Sequence, residues 1–418
     1  MTGPAAAAAA AGSGARRRIL LVAPNISRRM GGEGLKALQI HLELRALGHE
    51  VRQVAHARVR EEMARDYPEL AIDYVEDTPL QIRLFRMKAG PLLALLNAWQ
   101  LHRLAQAVAA RFRPDLVHFT SPISPVLPYF RFPGFPVVIG PLNGNVSYPP
   151  AFAARDPRAS GAKQAVIAAL QWTLGRVFRG KHRATLLVAG GDRTARSLRL
   201  AGCSPRRFVP TLDSGIPDAL VDRARFRQHG ENFRFVHVGR LVGYKGCDLA
   251  IRAVAASDPR VTLDIIGDGE ERGALERLAA DLGVAARVTF HGWMTPGPAM
   301  YDRLGSYRGL LQPALAEANG IAYQEAMTLG LPILCLDWAG PRELLSEGEA
   351  VLVAPDGGES AVVAALAAGM THLATDPEAA DRMSARARAK AEALGFRWRD
   401  LLSRWQDSYA LAIAGRSA

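Results

Sequence analysis

The sequence predicts an α/β protein built of two doubly wound, Rossmann-like domains that face each other across a cleft. Three observations predict it. Short apolar runs alternate with helical stretches, the pattern of a parallel sheet covered on both faces. That alternation restarts after Gly215, and 418 residues suit two domains better than one. With 49% hydrophobic and 22% charged residues, the chain has the make-up of a folded body and not of a disordered one.

The run 18–24 (RILLVAP) reads as a buried parallel strand. Gly31, Gly32 and Gly34 form a glycine-rich loop behind it. Leu35, Leu38, Leu42 and Leu47 then mark one face of a helix that Gly48 ends. Further strands are expected at 51–55, 116–119, 137–140 and 185–189. After Gly215 the series resumes with strands at 233–239, 261–266, 287–290, 310–312 and 333–336, and a helix at 247–255. The chain therefore divides into a flexible leader, 1–16, a first domain, 17–215, and a second, 216–396. Residues 397–418 carry a helical stripe of Leu401, Leu402, Trp405, Tyr409 and Leu411. Paired domains of this kind bind ligand in the cleft between them.

The formal net charge is +12, and it is unevenly spread. Residues 1–215 hold 30 Lys and Arg against 14 Asp and Glu, a net +16, whereas the remainder holds 22 against 26, a net −4. An anionic partner is thus expected at the first half. There Arg176, Arg179, Lys181 and Arg183 alternate with Trp172, Leu174, Val177 and Phe178. Arg83, Arg86 and Lys88 alternate with Leu84, Phe85, Leu92, Leu93 and Trp99. Such interleaving fits an interfacial helix on an anionic membrane surface, or a solvated basic face above a core-packing stripe. No zinc spacing, aromatic RNA-binding signature or basic zipper accompanies it, so no nucleic-acid partner is expected.

Three dispersed cysteines imply no disulfide framework and favour a reducing, cytoplasmic setting. The longest apolar stretch, 90–101, is too short for a helical span. The Ala-rich stretch 5–11 lacks the preceding cations of a secretory signal.

The most informative residues lie between Gln312 and Pro332. A strand ends, a loop turns at Gly320, and a helix begins whose fourth or fifth residue is Glu325. Glu317 and Glu325 bracket that helix start, where free N–H groups suit a phosphate, and both carboxylates can accept from hydroxyls on either side of it. The bland alternative is that Glu325 caps its helix and Glu317 is solvated. Upstream, Arg240 and Lys245 sit on a glycine-rich strand-to-helix loop with Gly239, Gly243 and Gly246. They are placed to neutralise a diphosphate, Arg as a planar fork and Lys as a point charge.

With these residues on the page, the chain resembles a group 1 (family 4) retaining glycosyltransferase of the two-Rossmann-domain GT-B fold, over roughly residues 17–410. The motifs that carry the resemblance are Gly239-Arg240 to Lys245-Gly246, Gly267-Asp268-Gly269 and Val288 to Gly292. Glu317 and Glu325 with Ala326-Met327 and Gly330-Leu331-Pro332 complete the second-half set. Gly31-Gly32, Leu47 to Val51 and Asp213 to Ile216 add weaker matches.

The resemblance implies transfer of a sugar from a nucleoside diphosphate sugar to a glycan or lipid-linked acceptor, in cell-surface polysaccharide or glycolipid synthesis. The enzyme would work in the cytoplasm or peripherally at the inner face of the membrane. Glu325 would bind the ribose, Glu317 the transferred sugar, and Arg240 with Lys245 the diphosphate. Backbone around Asn319, Gly320 and Ile321 would add donors, and Gly267, Gly269, Gly292 and Trp293 would shape the base pocket. Gly32 would approach the diphosphate from the first domain, which otherwise binds the acceptor. The closing helix would cross back onto that domain.

Two departures stand out. The family usually has Glu-Gly-Phe-Gly where this chain has Glu317-Ala318-Asn319-Gly320, so the sugar pocket is expected to differ. The family also often places a histidine after a first-domain strand, whereas 141–145 here reads PLNGN. His118 is the available imidazole, either an active-site group or a packed strand-end histidine.

No two aspartates stand two apart, so the Asp-x-Asp metal device of many transferases is not visible. Neither a metal nor a cofactor is expected; Arg240, Lys245 and the helix start near Gly320 would stabilise the leaving charge. The rival reading is a sugar-nucleotide epimerase or phosphorylase of similar fold. A nicotinamide dehydrogenase would need G-x-G-x-x-G after its first strand, and neither glycine loop supplies it.

Overall fold

The structure is a computed structural model that describes residues 15–144, 146–156, 161–223 and 230–415. Of the expected leader, residues 1–14 lie outside the described residues, as do residues 416–418 at the other end. The chain divides into two compact units. The first comprises Met1–Asn145, Ala165–Ser214 and Trp398–Ala418, and the second Val146–Gln164 and Gly215–Arg397.

The first unit is built on a seven-stranded sheet. Its strands are β1 (Arg18–Val22), β2 (Glu50–His56), β3 (Ile72–Val75), β4 (Leu116–Phe119), β5 (Val137–Leu142), β6 (Thr185–Val188) and β7 (Phe208–Pro210). They run parallel in the order β3-β2-β1-β4-β5-β6-β7. β1 shows why its sequence is apolar after Arg18. Leu20 and Val22 face a core filled by Leu101, Ala105, Val108 and Phe112 of the helix Gly90–Phe112. Ile19 and Leu21 face a second core lined by Ile40 and Leu44 of the helix Gly31–Ala46. A strand alternates its side chains between faces, so a sheet covered on both sides leaves no place for a polar register.

The helix Trp398–Ala414 packs on that second core with Trp398, Leu401, Leu402, Trp405 and Tyr409. Trp405 is fully buried, and its indole N–H donates to the Thr211 hydroxyl at 2.8 Å.

This packing corrects the active-site option for His118. The ring is fully buried in β4 between Trp405 and Tyr409. Its Nε2–H donates to the Gly140 carbonyl at 2.8 Å, and Nδ1 accepts from the Tyr409 hydroxyl at 2.9 Å. Burial lowers its pKa to about 4, which keeps it neutral at pH 7. His118 is a core histidine with both nitrogens engaged.

The second unit carries six parallel strands: β8 (Arg234–Val238), β9 (Thr262–Ile266), β10 (Val288–Gly292), β11 (Gly309–Gln312), β12 (Ile333–Leu336) and β13 (Ala350–Val353). Their order is β10-β9-β8-β11-β12-β13, the 3-2-1-4-5-6 winding of a dinucleotide-binding sheet.

The sequence reading missed β3, β7 and β13. It also placed residues 146–164 in the first domain, and the structure corrects that boundary. This segment belongs to the second unit because Phe152, 2% exposed, sits in that unit's main core, while Arg155 pairs with Asp248 at 2.8 Å. The Trp338 indole donates to the Ser147 carbonyl from the same unit.

Replacing Trp405 by Ala removes a fully buried side chain and the partner of Thr211. The first unit should lose about 3–5 kcal/mol, seen as a lower urea midpoint. A loss below about 0.5 kcal/mol would be the size of an ordinary surface change and would contradict this packing.

Candidate functional site

In the second unit the winding leaves β8 toward β9 on one side, while β11 lies on the other side of β8. Loops at the carboxyl ends of two such strands diverge and leave a crevice, which is where open α/β sheets bind ligands. The loop after β8 makes a tight turn over Gly243–Lys245, and Gly246 (φ 67°) leads into the helix Cys247–Ala256. A Cβ on Gly246 would lie 2.1 Å from the Pro313 carbonyl of the β11 loop, so glycine is what lets the two loops touch. The Leu315 N–H donates to the Tyr244 carbonyl at 2.8 Å and joins them further.

Across this junction Lys245 Nζ pairs with Glu317 Oε2. The side chains are 18% and 14% exposed, so water screens the pair only partly. The other carboxylate oxygen of Glu317 accepts the backbone N–H groups of Ala318 at 3.2 Å and Gly320 at 3.3 Å. One cation and two amides thus converge on a single internal anion. Arg240 is exposed beside them and donates to the Tyr244 hydroxyl at 2.6 Å.

The helix Ile321–Leu329 starts immediately after Gly320, with Ile321 half exposed and Asn319 half-buried at its entrance. Glu325 is the fifth residue of that helix and is 8% exposed. Its carboxyl accepts no hydrogen bond among the described residues, and burial raises its pKa to about 7. Gln324 beside it is fully buried with both ends of its amide unpartnered. The Tyr323 hydroxyl donates to the Gln312 carbonyl at 2.9 Å, which ties the helix to the end of β11.

The three glycine motifs of this half meet at neighbouring strand ends. Gly239 follows β8, Gly267 follows β9 and Gly292 ends β10. The Gly239 N–H donates to Ile266, and the Gly267 N–H to Gly292 at 2.8 Å. Gly267 has φ 148°, and a Cβ there would fall 1.9 Å from the Gly239 carbonyl, so no other residue fits. Gly269 lies against Leu241, and Trp293 stands 67% exposed beyond Gly292.

The structure therefore brings Arg240, Lys245, Glu317, Asn319, Gly320, Ile321 and Glu325 onto two adjoining loops and the helix they start. Gly239, Gly267, Gly269 and Gly292 lie at the adjacent strand ends. Gly32 is in the first unit, exposed in the first turn of the helix Gly31–Ala46. There a Cβ would meet nothing within 4 Å, so no internal contact requires glycine. His118 lies in the first unit's core and is no part of this group. Sequence reasoning missed Tyr244, Gln312 and Tyr323 as organisers of the two loops. Tyr244 stood inside the motif, but the partner of its carbonyl, the Leu315 N–H, lies on a different loop that no local periodicity links to it.

Glu325 makes stability depend on pH. Its folded pKa lies above the unfolded value of 4.5, so its contribution is full below pH 4.5 and is lost as pH rises through 7. Glu325→Gln should therefore flatten the stability profile between pH 5 and 8, a difference of at most about 3 kcal/mol. Denaturant titrations at the two pH values read this, and parallel profiles for the two proteins would contradict it.

Residues 221–390 match the family model described as glycosyl transferases group 1. The lipopolysaccharide core biosynthesis glycosyltransferase LpsE of Rhizobium meliloti is 34% identical over 129 residues, 31% of this chain and 37% of that protein. The lipopolysaccharide core biosynthesis glycosyltransferase LpsD of the same organism is 30% identical over 202 residues, 48% of this chain and 56% of that protein. The chain thus spans between about a third and just over half the length of these relatives. The Anabaena HepE structure in complex with UDP-glucose aligns with a TM-score of 0.61 at 19% identity, over 96% of this chain and 99% of that one. The chain has the α/β fold of GT-B glycosyltransferases, and its residues 221–390 match the group 1 glycosyl transferase model.

Proposed function

We propose that this chain transfers a sugar from a nucleoside diphosphate sugar to a glycan or lipid-linked acceptor of cell-surface polysaccharide or glycolipid synthesis, with retention at the anomeric carbon and without a metal. The observation that carries the reading is the convergence of Lys245 and the 318–320 amides on one carboxylate at the switch point of the second sheet. An arriving diphosphate competes for those same donors. Glu317, once released from them, becomes an acceptor for sugar hydroxyls, and Glu325, one helical turn after Ile321, would bind the ribose. The HepE neighbour holds UDP-glucose, and both relatives are named for lipopolysaccharide core synthesis, which supports the donor and acceptor classes.

In the transfer, the bond between the sugar's anomeric carbon and the diphosphate oxygen breaks, and its electron pair stays on the phosphate. The acceptor hydroxyl oxygen bonds to that carbon from the same face, and its proton passes to the departing phosphate oxygen. Positive charge grows on the sugar and negative charge on the leaving group. Arg240, Lys245 and the amides at the start of the helix Ile321–Leu329 stabilise the latter. Lys245→Ala should lower kcat by about 100-fold or more, and activity should persist in excess EDTA. A wild-type rate in the variant, or loss in EDTA restored by magnesium, would contradict the assignment.

The first unit supplies the reason for the charge. It holds 30 Lys and Arg against 15 Asp and Glu, the second 22 against 25. On the helices Pro79–Arg86 and Gly90–Phe112 and the turn between them, Leu80, Phe85, Met87 and Leu92 are more than half exposed. Arg83, Arg86 and Lys88 stand among them. On the helix Gly161–Val177, Val166, Leu170, Trp172 and Val177 are exposed, and Arg176 stacks over Trp172 at 3.7 Å. Among the described residues no helix is long and apolar enough to cross a membrane. These faces fit a surface association with anionic lipid, which would bring the enzyme to a membrane-bound acceptor. Flotation with anionic vesicles should recover the protein, weaken with salt and fail for a Phe85→Ser, Arg86→Gln variant. Equal recovery with neutral vesicles would remove the electrostatic part.

A further inference from the structure

At the carboxyl edge of the first sheet, β5 and β6 lose register between Ile139 and Leu142. Irregularities of this kind are common beside binding sites because they re-aim the residues that follow. The next residue is Asn143, 4% exposed, whose side-chain oxygen has no partner among the described residues. Beyond β6, Gly190 (φ 75°) and Gly191 (φ 50°) lead into the helix Gly191–Leu200.

Three side chains gather round Gly190. A Cβ there would lie 2.7 Å from Asn143 Oδ1, 2.7 Å from an Arg193 terminal nitrogen and 3.1 Å from Thr194 Oγ1. Thr194 is fully buried, and its hydroxyl is likewise unpartnered. Arg193 Nε donates to the Gly144 carbonyl at 3.4 Å, which holds the guanidinium against the turn that follows Asn143. Asp192 and Arg196 of the same helix are exposed.

A helix start exposes N–H groups that have no partner within the helix. Here two buried polar atoms without partners among the described residues, Asn143 Oδ1 and Thr194 Oγ1, border that start, and buried polar groups left unpaired are costly. The Asn143 amide presents its NH₂ in place of its oxygen after a half-turn, and a threonine hydroxyl donates as readily as it accepts. With the guanidinium, every group at the site then donates, and the helix N-terminus adds its own positive end.

We propose that this is a phosphate site, formed by the first amides of the helix Gly191–Leu200 with Arg193, Asn143 and Thr194, and that the phosphate it takes belongs to the acceptor. The assignment to the acceptor rests on the transferase reading; the site itself does not. It would also give the net positive first unit a specific role, since the sugar would be delivered to a phosphorylated acceptor.

Inorganic phosphate is the probe, with sodium chloride at equal ionic strength as control. Phosphate should raise the melting temperature of the wild type and, to the same extent, of Lys245→Gln, whose donor loop is impaired. The concentration for half of that shift should rise at least tenfold in Arg193→Gln and in Asn143→Leu, with the phosphate-free melting temperature of Arg193→Gln unchanged. In the transfer assay, phosphate should raise the KM for acceptor and leave the KM for donor unchanged.

A wild-type phosphate response in Arg193→Gln and Asn143→Leu, or loss of the response in Lys245→Gln alone, would overturn the site. Inhibition competitive with donor would overturn its assignment to the acceptor. The binding arm reads out even in a protein that transfers no sugar, so failure of the site and failure of the transferase reading are distinguishable.

Discussion

Two loops that start side by side at the switch point of one sheet set the terms for the second unit. Because β8 and β11 are parallel neighbours, residues 239–246 and 313–320 start side by side at the same edge of the sheet before their chains diverge. Glycine at 246 removes the side chain that would hold them apart, and the Tyr244 carbonyl takes the N–H of Leu315. Lys245 and Glu317 then pair across the seam with little water around them. The pair stores a cation and a carboxylate in mutual compensation, at a place where a ligand bearing phosphate and hydroxyl groups can claim one each. Binding chemistry follows from topology, with the side chains supplying only the charges.

Much of this was legible in the sequence, for identifiable reasons. Strands buried on both faces read as apolar runs, so β1, β8, β9 and β11 announced themselves. β3, β7 and β13 did not, being half-exposed strands of three or four residues at or next to sheet edges. Glu317 and Glu325 were visible because a strand, a glycine turn and a helix follow one another within a few residues. The role of Tyr244 was not, since it depends on a contact with the Leu315 N–H on a distant loop. His118 illustrates the opposite failure. A histidine at a strand end has the same local sequence whether it faces a ligand or a core, and only Trp405 and Tyr409, nearly 300 residues away, decide the matter.

The unit boundary follows the same logic. The sequence places one crossing near Gly215 and a return with the closing helix, but the segment Val146–Gln164 is held by the second unit through Phe152 and Arg155. Nothing local marks it, because one buried aromatic and one ion pair carry no periodicity. Electrostatics, by contrast, survive any redrawing of the boundary. The basic excess stays with the first unit and a small acidic excess with the second, which makes Arg240 and Lys245 a local feature of a unit with a small net negative charge.

A crystal structure of the chain with a bound nucleoside diphosphate sugar tests the central claim most directly. The account predicts both phosphates against Lys245 and the amides of 318–321, with Glu325 on the ribose and the Lys245–Glu317 contact opened. Phosphates bound anywhere else, with that ion pair intact, would contradict it.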